Sequence, residues 1–387
     1  MLRLGLFWLC RFPTSLESEG IGRHMIRLAE GLLAMGEQLE MSLITDHINA
    51  NAVKAAFSHV HSADGNRLDI IVADDITWVN DNVDVDIWII PYVGFVEAIQ
   101  LNKPFVLCLH DLGYTHFPDR PRDNFSRTMD IIAPRMAEKA AAVVCNSNFV
   151  RENEGLRYLK LPQSKTQVIR LASPTEEYKT FGKMEETAFR QKYGLVNPYF
   201  VYPSAIRYYK NHDRLIEAFI NFRNSSAGYV SKLLLVMTDN ICLHPEQQKT
   251  WNLVSKYLDE EVRFSIVFIN RIPAQEMPSL YYYAAGTIVP TLFEGSCPFP
   301  ILESLVFGTP VAFSDIPVVW EVIPREEGVL AFNPYTVGEI EQAIGQLWEK
   351  RDILIAQQQR AFIKALSRTW KDVAQEYFSL MQAVLSS

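Results

Sequence analysis

The sequence predicts an α/β protein built from two doubly wound domains. The chain of 387 residues is longer than one ordinary domain core requires. Apolar residues make up 48% and charged residues 21% of it, which is typical of a globular protein with ample core. Strand-like and helix-like segments alternate on both sides of a mixed, polar stretch, residues 173–198, which we interpret as a linker. Such alternation is typical of parallel sheets covered by helices.

The first predicted domain, residues 1–172, begins with a strand, a helix and a second strand. The helix spans residues 20–36, because apolar side chains recur there at helical spacing and Gly36 can end it. A further helix is predicted at about 126–141. The predicted strands are 4–9, 41–45, 70–73, 87–90, 105–109, 142–146 and 167–171.

The second predicted domain spans residues 199–366 and is followed by a separate C-terminal helix, residues 367–387. That helix carries apolar side chains on one face, from Val373 to Met381. The predicted strands of this domain are 199–203, 233–237, 264–269, 287–290 and 311–313.

Bulk properties exclude several classes of protein. A net charge of −8 argues against a nucleic-acid partner. The five cysteines are scattered and form no C-x-x-C pair, which favours a reducing compartment and no zinc site. Residues 1–10 are predicted to be a buried strand rather than a signal peptide, because Arg11 interrupts the apolar run. No stretch approaches the roughly 20 apolar residues of a membrane span. We therefore expect a cytoplasmic protein.

The most informative stretch is residues 293–310, which the pattern predicts to be a loop and a two-turn helix between two strands. Pro300 suits the first helical position and Gly308 the left-handed position that ends the helix. The helix N-terminus would then lie at the carboxyl edge of a parallel sheet, where anions bind. Glu294 and Glu303 can flank such a ligand. Alternatively, a glutamate in a first helical turn is favoured by the helix dipole alone.

Two cations follow the first strand of the second domain. Arg207 and Lys210 are predicted to project from the loop after residues 199–203, with Asn211 as the N-cap of the next helix. A guanidinium and an ammonium at this edge suit a diphosphate, since arginine can bind two oxygens at once. The alternative is a pair of solvated surface cations.

Other candidates give weaker signals. His110 follows the strand 105–109 directly, so it is expected at the carboxyl edge, either facing a ligand or held structurally by Asp111. Gly20 and Gly22 bring backbone close to that edge, but residue 25 is Met, so this is not the dinucleotide fingerprint. Cys297 lies in the loop that precedes the predicted helix of residues 293–310. It is expected to be a small loop residue, and the alternative is a nucleophile.

Taken together, the motifs resemble those of the retaining glycosyltransferases with two Rossmann-like domains, of the GT-B fold and family 4 type. The helix 367–387 is similar to that family's last helix, which crosses back to the first domain, and the two domains face a central crevice in this fold. Four segments carry the resemblance: Gly20–His24, Arg207–His212, Leu280–Ala285 leading into Pro290–Gly295, and Ile301–Val311 with Ser314–Asp315.

The resemblance implies roles for particular residues. Arg207 and Lys210 would neutralise the diphosphate of a nucleotide-sugar, and Glu303 would accept hydrogen bonds from its ribose. The donor sugar would be held by Glu294, by His110 and by the amides of the loop residues Gly295, Ser296, Cys297, Pro298 and Phe299. Gly20, Ile21 and Gly22 would border phosphate and acceptor. Eight residues separate Glu294 from Glu303, one more than is usual in this family, so the loop must bulge.

By the same resemblance, the protein would transfer a sugar, with retention, from a nucleoside-diphosphate sugar to a hydroxyl of a glycan or lipid-linked acceptor. UDP-glucose is the first candidate donor, and neither a metal nor another cofactor is expected. Polysaccharide or cell-envelope biosynthesis is the implied context, with peripheral contact at the inner face of the membrane if the acceptor is lipid-linked. The alternatives are a UDP-sugar 2-epimerase or glycan phosphorylase on the same fold, or a non-catalytic nucleotide-sugar or glycan-binding protein. A dinucleotide oxidoreductase ranks last, because neither domain shows the glycine fingerprint.

Overall fold

The computed structural model describes residues 1–14, 16, 20–35, 39–60 and 68–387, which form two compact units. The first unit comprises residues 1–172 and 368–387, and the second comprises residues 173–367. Residues 173–198, interpreted above as a linker, therefore belong to the second unit. They contain two helices, α6 (Thr175–Tyr178) and α7 (Glu186–Tyr193), and Phe189 is fully buried in that unit's core.

The described part of the first unit contains a seven-stranded parallel sheet with the strand order β3-β2-β1-β4-β5-β6-β7. Its central strands are near-continuous buried apolar runs, as expected for strands covered on both faces. The order reverses between β1 and β4, and ligands of open parallel sheets bind at such a point. The strands are β1 (Leu2–Trp8), β2 (Leu39–Thr45), β3 (Leu68–Val72), β4 (Ile87–Ile90), β5 (Phe105–Leu109), β6 (Ala142–Cys145) and β7 (Thr166–Val168).

Helices of the first unit start close to where the sequence predicts them. Helix α4 begins at Asn124 rather than at 126, because the carboxylate of Asp123 caps it by accepting the Ser126 N–H at 2.7 Å. Helix α1 is described as far as Leu33, and Gly36 lies outside the described residues. The helices are α1 (Gly20–Leu33), α2 (Ala50–Ala56), α3 (Ile76–Asn82), α4 (Asn124–Lys139) and α5 (Asn148–Val150), which continues into a π-helix (Arg151–Tyr158).

The C-terminal helix α17 (Trp370–Ser386) is an integral part of the first unit. A capping box begins it, because the Thr369 hydroxyl accepts the Asp372 N–H while the Asp372 carboxylate accepts the Thr369 N–H. Its buried face packs on α1, and Gly31 of α1 allows a close approach. A Cβ at Gly31 would lie 2.4 Å from the Trp370 carbonyl oxygen.

The second unit contains, in its described residues, a six-stranded parallel sheet with the order β10-β9-β8-β11-β12-β13. Five of these strands lie within two residues of their predicted bounds. The sixth, β13, was not predicted, because a two-residue strand leaves no periodic pattern. The strands are β8 (Tyr199–Tyr202), β9 (Leu234–Met237), β10 (Ile266–Phe268), β11 (Gly286–Val289), β12 (Val311–Ser314) and β13 (Ala331–Phe332).

Helices alternate with these strands. Beside α6 and α7, the second unit has α8 (His212–Asn224), α9 (Ser226–Ser231), α10 (Pro245–Val254), α11 (Glu260–Phe264), α12 (Met277–Tyr282), α13 (Phe299–Val306), α14 (Pro317–Trp320), α15 (Val337–Glu349) and α16 (Arg351–Ala361). None of the described helices in either unit is both long and apolar enough to cross a lipid bilayer.

The contact between α1 and α17 makes a testable prediction. Gly31→Ala would force a Cβ against backbone that cannot move alone, so we expect it to destabilise the first unit by about 1–3 kcal/mol. The measurement is chemical denaturation followed by far-UV circular dichroism. Gly20→Ala is the matched control on the same helix, because a Cβ there would have no heavy atom of the described residues within 4 Å apart from its own helix and chain neighbours. Equal stability of the two variants would contradict the close packing.

Candidate active site

The loop after β11 and the helix that follows it have the predicted form. Gly308 has a φ of +70°, the left-handed conformation that ends α13. The helix begins at Phe299, so Pro300 occupies its second position rather than the first. Among the loop residues, Gly295, Cys297 and Pro298 are buried, whereas Ser296 and Phe299 are half-buried.

Asn211 links the loop that carries Arg207 and Lys210 to two other loops that follow strands of the sheet. Its side-chain Nδ2 donates to the carbonyls of Pro290, at 2.9 Å, and Pro334, at 2.7 Å. Asn211 occupies the predicted N-cap position of α8, but its side chain does not cap the helix. Its Oδ1, the atom that would accept a helix N–H, accepts from the Arg214 guanidinium at 3.0 Å instead. Its φ of +60° is a conformation that asparagine tolerates better than most residues.

Further hydrogen bonds join the same two loops. The Leu292 N–H donates to the Tyr209 carbonyl at 2.7 Å, and the Thr291 hydroxyl donates to the same oxygen at 3.1 Å. Residues 208–211 and 290–294 are therefore held together as one piece of structure.

This connection brings Lys210 and Glu294 together. The Lys210 ammonium donates to a Glu294 carboxylate oxygen at 2.5 Å, and both side chains are largely buried, with 21% and 17% of their surface exposed. Arg207 is exposed, and its guanidinium makes no hydrogen bond or ion pair within the described residues. The two predicted cations thus differ, because one is neutralised by a carboxylate and the other faces solvent.

Glu303 is almost fully buried, with 3% of its surface exposed. Its carboxylate accepts hydrogen bonds from the Tyr178 hydroxyl at 2.7 Å and from the Tyr281 hydroxyl at 2.6 Å. Sequence reasoning assigned no role to either tyrosine. Tyr281 lies in a segment that carried the family resemblance, whereas Tyr178 lies in the supposed linker and gave no signal.

Cys297 is a buried thiol whose pKa is raised, first by burial and then by the nearby carboxylate of Glu294. A thiol in these surroundings stays protonated near neutral pH, and the thiolate is the nucleophilic form. The structure therefore favours a packing role for Cys297 over a nucleophilic one.

In the first unit, His110 lies at the end of β5 as predicted, but its side-chain partner is Asn146 rather than Asp111. The Asn146 amide nitrogen lies 2.6 Å from His110 Nδ1. Asp111 instead accepts the Gly113 N–H at 3.0 Å. Burial lowers the pKa of His110 to about 4, so the imidazole is neutral near pH 7. Its other nitrogen, Nε2, has no hydrogen-bond partner in the described residues.

His24 is a neighbour that sequence reasoning left without a role. It lies on α1 within the segment Gly20–His24, has 2% of its surface exposed, and packs edge-on to the His110 ring at 4.8 Å. Burial, followed by the proximity of His110, lowers its pKa well below 6.5. On the same helix Gly22 has a packing role, since a Cβ there would lie 2.2 Å from the Leu16 carbonyl oxygen.

The segment that follows His110 is held by Glu154, another residue that gave no sequence signal. Its buried carboxylate accepts the Leu112 N–H at 2.5 Å and lies 2.9 Å from His116 Nε2. Burial raises the pKa of Glu154 to about 7, although His116 opposes this shift. Glu154 belongs to the π-helix 151–158, an irregularity that is often found at functional sites.

Comparison with known proteins identifies the family of the second unit. Residues 185–367, nearly the whole second unit, match the family model of glycosyl transferases group 1. The second unit is therefore a domain of that group, and the resemblance to the group 1 glycosyltransferases is confirmed. A curated relative, the O-antigen chain mannosyltransferase RfbU of Salmonella typhimurium, is 32% identical over 83 residues. That match covers 21% of this chain and 23% of the mannosyltransferase.

Solved structures extend the likeness to both units. Anabaena HepE, crystallised with UDP and glucose, has a TM-score of 0.74 and 16% identity, with 99% of this chain and all of that chain covered. Sucrose-phosphate synthase from Thermosynechococcus elongatus has a TM-score of 0.68 and 15% identity, with full coverage of both chains. At these identities the likeness establishes the fold, which is GT-B as predicted.

The role of Asn211 can be tested by two substitutions. Asn211→Ala removes both hydrogen bonds to buried carbonyls and places alanine at positive φ, so we expect a loss of about 2–4 kcal/mol in stability. Asn211→Gly removes the same bonds without the backbone strain and should recover about 1 kcal/mol. Urea denaturation measures both values. If the glycine variant is as stable as the wild type, the two amide bonds contribute nothing.

The buried His110 predicts a pH-dependent stability. Its pKa is about 4 when folded and 6.5 when exposed. Between these values the unfolded chain binds more protons, so stability is lost as the pH falls from about 6.5 to about 4. His110→Gln should reduce the slope of this part of a plot of melting temperature against pH, while buried His24 keeps its own contribution. The control is His59→Gln, a histidine that is 54% exposed. A variant as acid-sensitive as the wild type would contradict the assignment.

Proposed function

We propose that this protein is a retaining glycosyltransferase that moves a sugar from a nucleoside-diphosphate sugar to a hydroxyl of a glycan or lipid-linked acceptor. The observation that carries the proposal is the joined pair of loops that presents Lys210, Glu294 and the exposed Arg207. Cations beside a carboxylate suit a ligand that is anionic at the diphosphate and rich in hydroxyls at the sugar. The family match of residues 185–367 supports the same class of ligand.

The proposed chemistry is a front-face substitution at the anomeric carbon. The bond between that carbon and the diphosphate oxygen breaks, the acceptor oxygen bonds to the same face, and the acceptor proton passes to the departing phosphate. Arg207 and Lys210 stabilise the charge that develops on the diphosphate. In the free protein Lys210 is neutralised by Glu294, so we propose that donor binding turns Lys210 towards phosphate and Glu294 towards sugar hydroxyls.

The remaining site residues keep the roles that the family resemblance gives them. Glu303 accepts from the ribose, and the loop residues 295–299 contact the donor sugar. His110 would meet a sugar hydroxyl through Nε2, which is consistent with its neutral, buried imidazole. Gly20, Ile21 and Gly22 would border phosphate and acceptor.

UDP is the first candidate nucleotide, and UDP-glucose the first candidate donor, since a structural relative was crystallised with UDP-glucose. The curated relative is a mannosyltransferase, so GDP-mannose belongs in the same test. We further propose that the reaction needs no metal or other cofactor and that it serves polysaccharide or cell-envelope assembly. Contact with the inner face of the membrane would follow if the acceptor carries a lipid.

A ligand panel with UDP, GDP and ADP, each with Mg²⁺ or EDTA, tests the proposal. A ligand at 100 times its dissociation constant adds about 2.7 kcal/mol of stability, which a thermal-shift assay detects. We expect a shift with one nucleoside diphosphate in either condition. Transfer of sugar from the matching donor across an acceptor panel, with the anomeric configuration read by NMR, then tests retention. Donor turnover without an acceptor would favour an epimerase, turnover dependent on phosphate a phosphorylase, and binding without turnover a binding protein.

Substitutions of the cations give a quantitative prediction. Arg207→Ala and Lys210→Ala should each weaken binding of the nucleoside diphosphate about 10- to 100-fold, because each removes a charge-assisted hydrogen bond worth about 1.5–3 kcal/mol. Isothermal titration calorimetry measures the change. Lys249→Ala, an exposed lysine of the same unit, is the control. Unchanged affinity in both site variants would contradict the assignment of the diphosphate to these loops.

A further inference from the structure

Two tyrosine hydroxyls donate to the carboxylate of Glu303, one to each oxygen. Tyr178 donates to Oε1 at 2.7 Å and Tyr281 donates to Oε2 at 2.6 Å. The three side chains are almost completely buried, with 3% of Glu303, 7% of Tyr178 and none of Tyr281 exposed. A glutamate side chain has three rotatable bonds, and these two hydrogen bonds restrict its carboxylate to one orientation.

Both tyrosines are themselves fixed by a shared ring. Phe307 directly follows α13, the helix that carries Glu303. The Tyr281 ring stacks on Phe307 at 6.0 Å, and the Tyr178 ring meets it edge-on at 5.1 Å. The Tyr281 backbone is also anchored, because its carbonyl accepts the Thr309 hydroxyl at 2.7 Å. The hydroxyl positions are therefore determined by packing as well as by the carboxylate.

We propose that Tyr178 and Tyr281 are positioning residues for nucleotide recognition, which orient Glu303 to accept the two hydroxyls of a ribose. A carboxylate oxygen has more than one acceptor position, so a hydrogen bond from a tyrosine does not by itself prevent the same oxygen from accepting a second donor. This inference rests on the proposed function, because it assumes that Glu303 contacts the donor nucleotide. The cluster of Tyr178, Tyr281 and Phe307 would then discriminate between ribose and deoxyribose. Tyr178 lies in the segment that directly follows the boundary between the two units.

The experiment compares UDP with 2′,3′-dideoxy-UDP, which lacks both hydroxyls. Calorimetric titration of the wild type should show UDP binding at least tenfold more tightly. Tyr178→Phe keeps the ring against Phe307 and removes only the hydroxyl. We expect it to weaken UDP binding about fivefold to tenfold and to leave dideoxy-UDP binding unchanged, so the ratio of the two affinities falls. Tyr281→Phe should lower the same ratio, and Glu303→Gln should lower it further.

Tyr193→Phe is the matched control. The Tyr193 hydroxyl also donates to a glutamate of the second unit, Glu276, at 2.7 Å, but that glutamate has no proposed role in binding. This variant should keep the wild-type ratio. Circular dichroism confirms that each variant is folded.

The affinity ratio separates the outcomes. A folded Tyr178→Phe that binds both nucleotides as the wild type does, or loses affinity for both equally, would overturn the positioning role. Wild-type protein that binds UDP and dideoxy-UDP equally would overturn the inference while leaving nucleotide binding intact. Wild-type protein that binds no nucleoside diphosphate would overturn the proposed function and this inference with it.

Discussion

The candidate site in the second unit depends on the side-chain amide of Asn211, which acts together with the hydrogen bonds from residues 291 and 292 to the Tyr209 carbonyl. Asn211 satisfies the carbonyls of Pro290 and Pro334, and by doing so it joins the connections that follow β8, β11 and β13. Buried carbonyls need hydrogen-bond partners, so this arrangement cannot open without leaving unpaired groups. The short distance between Lys210 and Glu294 depends on it, since the two side chains lie on segments that the amide holds together.

The buried ionisable groups of the two units are accommodated by different means. In the second unit a carboxylate is solvated by neutral hydroxyls, those of Tyr178 and Tyr281. In the first unit burial lowers the pKa of His110, which therefore stays neutral. Glu154 combines both means. Its carboxylate has a backbone donor and a histidine beside it, and burial raises its pKa to about 7. Each arrangement avoids an unpaired buried charge, the most unfavourable alternative.

The sequence predicts what depends on local pattern and misses what depends on long-range contact. The strands of both sheets other than β13, and the end of α13 at Gly308, follow from apolar runs and from glycine at positive φ, and these predictions are confirmed. Asn211 lies at the predicted N-cap position, but the hydrogen bonds of its Nδ2 were not predicted, because their acceptors, residues 290 and 334, are distant along the chain. Tyr178 was missed for the same reason, since its partner Glu303 lies 125 positions away. The predicted binding roles of the site residues remain predictions.

The first unit is discontinuous in sequence, because residues 368–387 pack with residues 1–172. During synthesis, all of the second unit emerges from the ribosome before α17 does. The part of α1 that packs on α17, including Gly31, therefore stays uncovered while the intervening 173–367 segment is made. Domains generally fold as units during synthesis. The order of folding in this chain would consequently run against the order of its residues, with the second unit complete before the first can close.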